Sequence, residues 1–230
     1  MILRPYQTQA VTAIIDRYNV PSRDIVNLPT GSGKSLVIAD AVQQINQPTL
    51  ILQPSAEILE QNKEKLEMYY PSGDISMYSA SMNEKIVSRI TLATIGSVVK
   101  YPELFRHFPL VMIDEAHGVN PDDSGSMYFK FLREVQPKKI IGLTATAFRL
   151  SNGYISSRNY LGEKTLEQIT TIKVITRIEY ERGKKFWNGG IIFNIPTQEM
   201  ITQGYLHKPS YFDNSVIQHE SIPVNASLSD

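Results

Sequence analysis

A chain of 230 residues, 42% hydrophobic and 20% charged, has the makeup of a globular protein with an ordinary core, which excludes fibres and disordered polypeptides. Lys+Arg and Asp+Glu balance at 23 each, so no net charge pulls the molecule toward DNA or RNA, and any grip on phosphates must come from local placement of charge and backbone donors. Without cysteine there is no disulfide, thiolate metal site or cysteine nucleophile; no run approaches the ~18 apolar residues of a membrane helix, and Met1-Ile2-Leu3-Arg4-Pro5 lacks a signal pattern, so a cytoplasmic location away from membranes is expected.

From the N-terminus to about Leu150, short apolar runs alternate with segments of helical period. Strands are predicted at residues 24–28, 49–53, 75–78, 90–93, 110–113 and 140–143. Several are continuous apolar runs, Leu50-Ile51-Leu52 and Leu110-Val111-Met112-Ile113 among them, as strands covered on both faces require. Between them, Ile38, Ala41, Val42 and Ile45 recur at i, i+3, i+4, i+7, as do Tyr128, Phe131, Leu132 and Val135. Residues 56–68 form a third helix behind the Pro54-Ser55 start signal. The alternation predicts a mostly parallel sheet with helices on both faces, whose ligands gather at the carboxyl ends of the strands.

Leu28-Pro29-Thr30-Gly31-Ser32-Gly33-Lys34-Ser35 follows the first strand and opens the first of those helices, the context of a phosphate-binding loop. Gly31 and Gly33 let backbone N–H groups curl around an anion, and the helix beginning near Lys34 turns its positive end to it. Lys34 can reach the β and γ phosphates, and the Ser35 hydroxyl can serve Mg²⁺. The eight-residue pattern ordinarily begins with Gly, and Leu28 stands there instead. A second string, Val111-Met112-Ile113-Asp114-Glu115-Ala116-His117, is an apolar strand ending in two carboxylates and an imidazole. Beside a phosphate loop, Asp114 suits Mg²⁺, and Glu115 suits the orientation or deprotonation of an attacking water.

These two strings in this order resemble the superfamily 2 helicases and translocases, which carry a DEAD or DEAH box; this chain reads Asp-Glu-Ala-His. The resemblance covers Met1 to about Leu150 and implies an α/β fold of the P-loop NTPase class, a RecA-like parallel sheet with helices on both faces, using ATP and Mg²⁺. Arg4-Pro5-Tyr6-Gln7 resembles the family's adenine-recognising segment, which implies Gln7 against the base and Arg4 nearby. Thr30, Gly31, Ser32, Gly33, Lys34 and Ser35 would hold the phosphates, with Ser35 and Asp114 on the metal and Lys34, Asp114 and Glu115 as the catalytic set. Leu52-Gln53-Pro54-Ser55, with Leu59 and Gln61, resembles one segment that contacts the nucleic-acid backbone, and Ala93-Thr94-Ile95-Gly96-Ser97 resembles another. Pro54, Ser55 and Thr94 are therefore expected on nucleic acid. Gly142-Leu143-Thr144-Ala145-Thr146-Ala147-Phe148-Arg149 resembles the coupling motif, which implies that Thr144 and Thr146, together with His117, link the acids to the nucleic-acid side. Many members have Pro where Ala147 stands. The opening and the Thr-Ala-Thr string look most like the DNA translocase branch of repair helicases and restriction-enzyme motors, so DNA is expected as the partner over RNA.

Residues 1–150 are thus read as the first motor domain and 151–230 as a small C-terminal appendage and linker toward a second RecA-like domain that this chain lacks. Residues 151–158 read as loop, 165–178 as mixed, 197–205 as a short helix stopped at Gly204, and Gln203-Gly204-Tyr205-Leu206 looks like the passage into the second domain. In the family that domain supplies an arginine finger worth ~10³–10⁵ in turnover, so this chain alone is expected to bind ATP–Mg²⁺ weakly and hydrolyse it slowly. Within 173–187, Lys173, Arg177, Arg182, Lys184 and Lys185 interleave with Tyr180, Phe186 and Trp187. That pattern suits either a stacking surface for a nucleic-acid strand or a solvated hairpin with its aromatics packed on the sheet domain. Two other classes keep a phosphate loop, a non-motor interaction module and a small-molecule kinase. The first has no use for the Ser55, Thr94 and Thr144 segments together, and the second needs a lid and an acceptor pocket.

Overall fold

The computed structural model describes residues 2–71, 74–120, 125–146, 148–149, 153–154 and 186–207, with the two short stretches 148–149 and 153–154 described by their backbone. In chain order the elements are α1 (Pro5–Tyr18), β1 (Arg23–Asn27), α2 (Lys34–Ile45), β2 (Thr49–Gln53), α3 (Ala56–Tyr69), β3 (Ile75–Ser79), β4 (Glu84–Lys85), β5 (Ile90–Thr94), α4 (Ile95–Val98), β6 (Leu110–Ile113), α5 (Met127–Val135), β7 (Lys139–Thr144), β8 (Phe148–Arg149), β9 (Gly153–Tyr154), β10 (Gly190–Asn194) and α6 (Thr197–Thr202). Short 3-10 turns lie at Pro102–Phe105 and Ala116–Gly118. All six strands expected from the sequence are present, each within one residue of its expected bounds.

Eight strands form one sheet in the order β10-β1-β7-β6-β2-β5-β3-β4, and β8 and β9 make a separate antiparallel pair. Neighbours in the large sheet are parallel, except that the two-residue β4 closes one edge antiparallel to β3. Chain order and spatial order differ most around β1, which is followed in sequence by β2 but flanked in space by β7 and β10. The carboxyl ends of β1, β7 and β6 therefore stand side by side, with those of β2 and β5 next along the same edge.

The strands are buried on both faces and alternate residue by residue between two cores, as a period of two dictates. Val26 and Leu28, Leu110 and Met112, and Ile141 and Leu143 pack with Ala10, Ile14, Val37 and Val42 of α1 and α2. Ile25, Val111, Ile113 and Ile140 face the other way, onto Phe105, Phe108, Phe131 and Val135. β7 is buried along all six residues, including Lys139. The Lys139 ammonium is fully enclosed with the Asp24 carboxylate and also donates to Val20 O and Ser22 Oγ, which ties the start of β7 to the start of β1. Burial lowers the Lys139 pKa, and Asp24 works against that shift.

The sheet does not end where the sequence reading ended it. β10, forty residues beyond Leu150, pairs in parallel with β1, so the chain segment taken as an appendage supplies the outermost strand of the main sheet. Leading into β10, Trp187 is fully buried and Phe186 is 6% exposed. Trp187 lies on Gly142 of β7: a Cβ added there would come within 2.6 Å of the indole Cη2 and 2.7 Å of Ala116 Cβ. These two aromatics are core residues and cannot stack on a strand of nucleic acid. The rest of that expected stretch, residues 173–185, lies outside the described residues, as do the segments 151–152, 155–185 and 208–230 and the coupling-motif residue Ala147. Helix α6 appears where a helix was expected and ends ahead of Gly204, whose φ of 74° takes the left-handed turn that stops it.

Candidate nucleotide-binding site

The loop from Leu28 to Gly33 leaves β1 at its carboxyl end and is pinned to β7 by Leu28 N–H donating to Thr144 O at 2.8 Å. Gly31 and Gly33 sit at φ 79° and 80°, in the left-handed region open to glycine. A Cβ at Gly33 would meet Gln7 Nε2 at 2.6 Å, so the cradle is closed from below by α1. The N–H groups of Gly31, Gly33, Lys34 and Ser35 find no partner among the described residues, and α2 begins at Lys34 with no side-chain cap. The Ser32 hydroxyl is buried without a partner. A concave row of donors and an orphaned hydroxyl at a helix N-terminus fits a polyphosphate.

The first helix braces this loop. Tyr6 OH and Gln7 Nε2 both donate to Ser32 O at 2.8 Å, and Gln7 Oε1 accepts from the Arg4 N–H at 2.8 Å. Gln7 is 3% exposed. Its amide, expected on the adenine edge, is engaged at both ends with the protein and retains one N–H and one lone pair for anything else. Arg4 is exposed and lies over the ring of Tyr205, 5.2 Å from its centroid, with Nη1 donating to Tyr205 O at 3.3 Å. Tyr6 and Tyr205 rings are 5.0 Å apart, and the side chain of Leu206 reaches Gly31. The Gly204-Tyr205-Leu206 run thus returns over the phosphate loop.

Asp114 and Glu115 follow β6, with Asp114 N–H donating to Leu52 O of β2 at 2.9 Å. Lys34 Nζ lies 2.9 Å from Glu115 Oε1, so the loop lysine and the acid box face each other across the ends of β1, β7 and β6. Glu115 has φ 51° and ψ 51°, a left-handed conformation that is costly for a residue with a Cβ. Its other oxygen, Oε2, lies 3.2 Å from His117 Nδ1, which lies 3.1 Å from Thr144 Oγ1. Thr144 Oγ1 also accepts from Thr146 N–H and donates to Thr146 O, both at 3.1 Å. Since its single hydrogen goes to Thr146 O, the contact with His117 closes when Nδ1 carries the proton. One polar chain therefore connects Lys34, Glu115, His117, Thr144 and Thr146.

Asp114 is buried, and its pKa is raised, first by burial and then by the Glu115 charge, with Lys34, the Glu115 N–H and the Asn62 amide pulling the other way. Asn62 Nδ2 donates to Asp114 Oδ2 at 3.2 Å, and Lys65 Nζ donates to Ser35 Oγ at 3.1 Å. Tyr128 of α5 is near enough to Asp114 that its own pKa rises to about 12, through burial and then that charge. The sequence gives no sign of Asn62 and Lys65, because nothing in a helical pattern tells which polar residue turns inward, and it shows Tyr6 and Tyr128 only as part of a motif and of an apolar stripe, without their contacts here. No three carboxylate or imidazole groups converge among the described residues. A divalent ion held here would rest on Ser35, Asp114 and phosphate oxygens, the chemistry suited to Mg²⁺.

The other expected positions lie along the same edge. Ser55 caps α3, its hydroxyl accepting from Ile58 N–H at 3.4 Å, with Pro54 exposed beside it. Thr94 Oγ1 is 2.8 Å from Ser97 Oγ at the end of β5. They stand past β6, on the side of the acid box away from the phosphate loop. A groove of about 560 Å³ lined by Arg23, Phe129, Arg133, Lys138 and Phe186 includes the amino ends of β1 and β7, far from this chemistry.

Residues 1–149 match the family described as Type III restriction enzyme, res subunit. The chain is 28% identical over 192 residues to the African swine fever virus protein (isolate Pig/Kenya/KEN-50/1950) named "Putative ATP-dependent RNA helicase QP509L", with 79% of this chain and 37% of that protein covered. It is 32% identical over 148 residues to the DNA 3'-5' translocase XPB2 of Sulfurisphaera tokodaii, covering 64% of this chain and 31% of that protein. The chain thus spans about a third of the length of these relatives. In solved structures the fold is shared with the SWI2/SNF2 ATPase core of Sulfolobus solfataricus in complex with dsDNA, at TM-score 0.57 and 17% identity over 84% of this chain and 44% of that one. It is also shared with a hypothetical ATP-dependent RNA helicase from Sulfolobus tokodaii, at TM-score 0.54 and 16% identity over 83% and 53%.

Proposed function

Since the chain belongs to the family of the type III restriction enzyme res subunit and carries the N-terminal RecA-like domain of a superfamily 2 helicase, we propose that it is the ATP-binding half of a nucleic-acid-dependent ATPase motor acting on DNA. The observation that carries this reading is the 2.9 Å approach of Lys34 Nζ to Glu115 Oε1 with Asp114 adjoining, which brings an anion cradle and two acids to one place. Gly31, Ser32 and Gly33 bind phosphate oxygens through backbone N–H groups, and Lys34 adds its charge to the terminal phosphates. Ser35 and Asp114 would hold Mg²⁺, which supplies neutralisation of phosphate charge when bound. Glu115 takes the proton of the attacking water, and its contact with Lys34 orients the carboxylate. Through His117, Thr144 and Thr146 the state of Glu115 is passed along the strand ends toward Ser55 and Thr94, which with Pro54 face the sugar-phosphate backbone. Arg4, which lies over the Tyr205 ring, and Gln7, through its one remaining N–H and one lone pair, are assigned to the base.

DNA as the partner is supported by the names of the archaeal and bacterial relatives, a DNA 3'-5' translocase and a DNA 3'-5' helicase. The viral relatives are named for RNA, which makes RNA the second reading. On this reading a second RecA-like domain closes over ATP in the whole protein, and hydrolysis by residues 1–230 alone is expected to be slow. The test is binding of a fluorescent ATP analogue with and without Mg²⁺, followed by phosphate release in the presence of DNA or RNA strands. Lys34→Ala is expected to lose at least about tenfold in affinity, while Glu115→Gln binds normally and releases no phosphate. A Lys34→Ala chain that binds as tightly as the unmodified one sinks the reading. Transfer of phosphate to a small acceptor instead of water moves the chain to the kinases. Stronger stimulation by RNA than by DNA selects the second reading.

A further inference from the structure

Two polar side chains of α3 bond the two groups assigned to the metal, and Gln53 at the end of β2 lines a cavity beside one of them; none of the three belongs to the phosphate loop or the acid box. Asn62 and Lys65 lie one turn apart on α3, so both project from the same face. Asn62 is 8% exposed and holds Asp114 Oδ2; Lys65 reaches Ser35 Oγ. Gln53, the last residue of β2, is fully buried, yet neither Nε2 nor Oε1 has a hydrogen-bond partner. A buried amide with both ends unpaired calls for an occupant. Gln53 lines a small cavity of about 10 Å³ together with Ser35, Asn62, Ile38, Ile51, Leu66 and Leu92. That volume is close to what a single water needs, and three polar walls suit one. Mg²⁺ dehydrates reluctantly and keeps several of its waters, so a polar niche beside Ser35 is suited to one of them.

We propose that the β2–α3 unit builds the outer shell of the metal site: Gln53 and Asn62 favour Mg²⁺, and Lys65 opposes it by competing for the Ser35 hydroxyl. This rests on the assignment of Ser35 and Asp114 to Mg²⁺ above. The signs follow from what each side chain does to its metal ligand. Asn62 fixes Asp114 by donating to its carboxylate, so losing the amide leaves a metal ligand less well held; outer-shell losses of this kind cost about 10–100-fold in metal affinity. Lys65 is different. A metal bonded to Ser35 Oγ at about 2 Å would stand no more than about 5 Å from an ammonium that keeps its present contact, and like charges at that range repel. Lys65 has to swing into solvent as the metal enters, which its exposed position permits. These are positioning residues: each acts through Ser35 or Asp114. They also place the metal's outer contacts on the helix capped by Ser55, about two turns or ~10 Å from Asn62 along the axis.

The experiment is an Mg²⁺ titration of fluorescent ATP-analogue binding at fixed nucleotide and low ionic strength, read as the Mg²⁺ midpoint, with analogue binding in chelator as the metal-free reference. Lys65→Met is expected to lower the midpoint roughly three- to thirtyfold, and Lys65→Arg to stay near the unmodified chain. Asn62→Ala is expected to raise it about tenfold or more, each variant's midpoint being read against its own binding in chelator. Lys63→Met serves as the neutral reference, because Lys63 faces Glu67 at 3.1 Å on the same helix. A merely structural role for α3 would move both variants in the same direction. An unchanged or higher midpoint for Lys65→Met overturns the proposal, and because Lys65 is exposed this variant folds even if Asn62→Ala does not. If the unmodified chain shows no Mg²⁺ response at all, the metal assignment itself fails, which is a different result from a response that Lys65 does not alter.

Discussion

Glu115 is the residue where local backbone preference yields to the site. A glutamate at φ 51° bears a Cβ in a region that suits glycine, a strain of order 1–3 kcal/mol that persists only when the surroundings hold it. Here the holders are visible. Asp114 Oδ1 accepts the Glu115 N–H at 3.0 Å, Gly118 N–H donates to Glu115 O at 2.9 Å, and the carboxylate is drawn to Lys34 and His117. Comparing two variants that both lack the carboxylate isolates the backbone term. Glu115→Gly is expected to be more stable than Glu115→Ala by about 1 kcal/mol, read from urea midpoints. Equal midpoints, or Gly the lower, would mean the turn carries no strain. Glycine identity is legible in the loop sequence, whereas a left-handed glutamate is not, because no local pattern announces it.

At the scale of elements, helix α5 is legible from the period of Tyr128, Phe131, Leu132 and Val135, while its cap at Ser126, whose hydroxyl accepts from Phe129 N–H at 3.4 Å, emerges only in the structure. What its period could not reveal is that Tyr128, one of the predicted core positions, lies close to the Asp114 charge. Its phenol titrates at about 12 instead of 10.0. The folded chain therefore keeps that proton between the two values while the unfolded chain loses it. The associated stability is complete below about pH 10 and is lost as the pH climbs to about 12, on the order of 2–3 kcal/mol in all. Tyr128→Phe removes that loss, so the variant's urea midpoint should fall less than that of the unmodified chain between about pH 9 and about pH 11. Parallel declines would show that the phenol is no better shielded in the fold than out of it. The Asp24–Lys139 pair is a second case of this kind: two charges within predicted or adjoining strand residues are buried together, and the pairing becomes evident only once β1 and β7 lie side by side.

For the whole molecule, the sheet's outer strand comes from sequence that reads as an attachment. β10 pairs with β1, Trp187 fills the space over Gly142, and Met200 of α6 joins the core under α1. A chain ended at residue 150 loses all three. Deleting a buried Trp alone is worth about 3–5 kcal/mol, so this shorter chain should melt lower than one ended at residue 207 by roughly 10 °C or more. If the two melt together by circular dichroism, the C-terminal strand is not part of the cooperative unit. The same return of the chain lays Tyr205 and Leu206 on Arg4, Tyr6 and Gly31, so sheet completion and the rim of the candidate nucleotide site depend on one segment.

Six strands of the first 150 residues, and the positions of Gly31–Ser35 and Asp114–Glu115 just past strand ends, were legible because each is local. Continuous apolar runs report burial on both faces, glycines report a curled backbone, and carboxylates just after an apolar strand report its carboxyl end. What the sequence could not determine is which strand ends meet. That depends on the spatial order β10-β1-β7-β6-β2, set by crossovers and by the fit of Trp187 against Gly142. Only this packing brings Lys34 to Glu115, Asn62 to Asp114 and Lys65 to Ser35, because such contacts join residues far apart in the chain whose side chains carry no local signature of their partners.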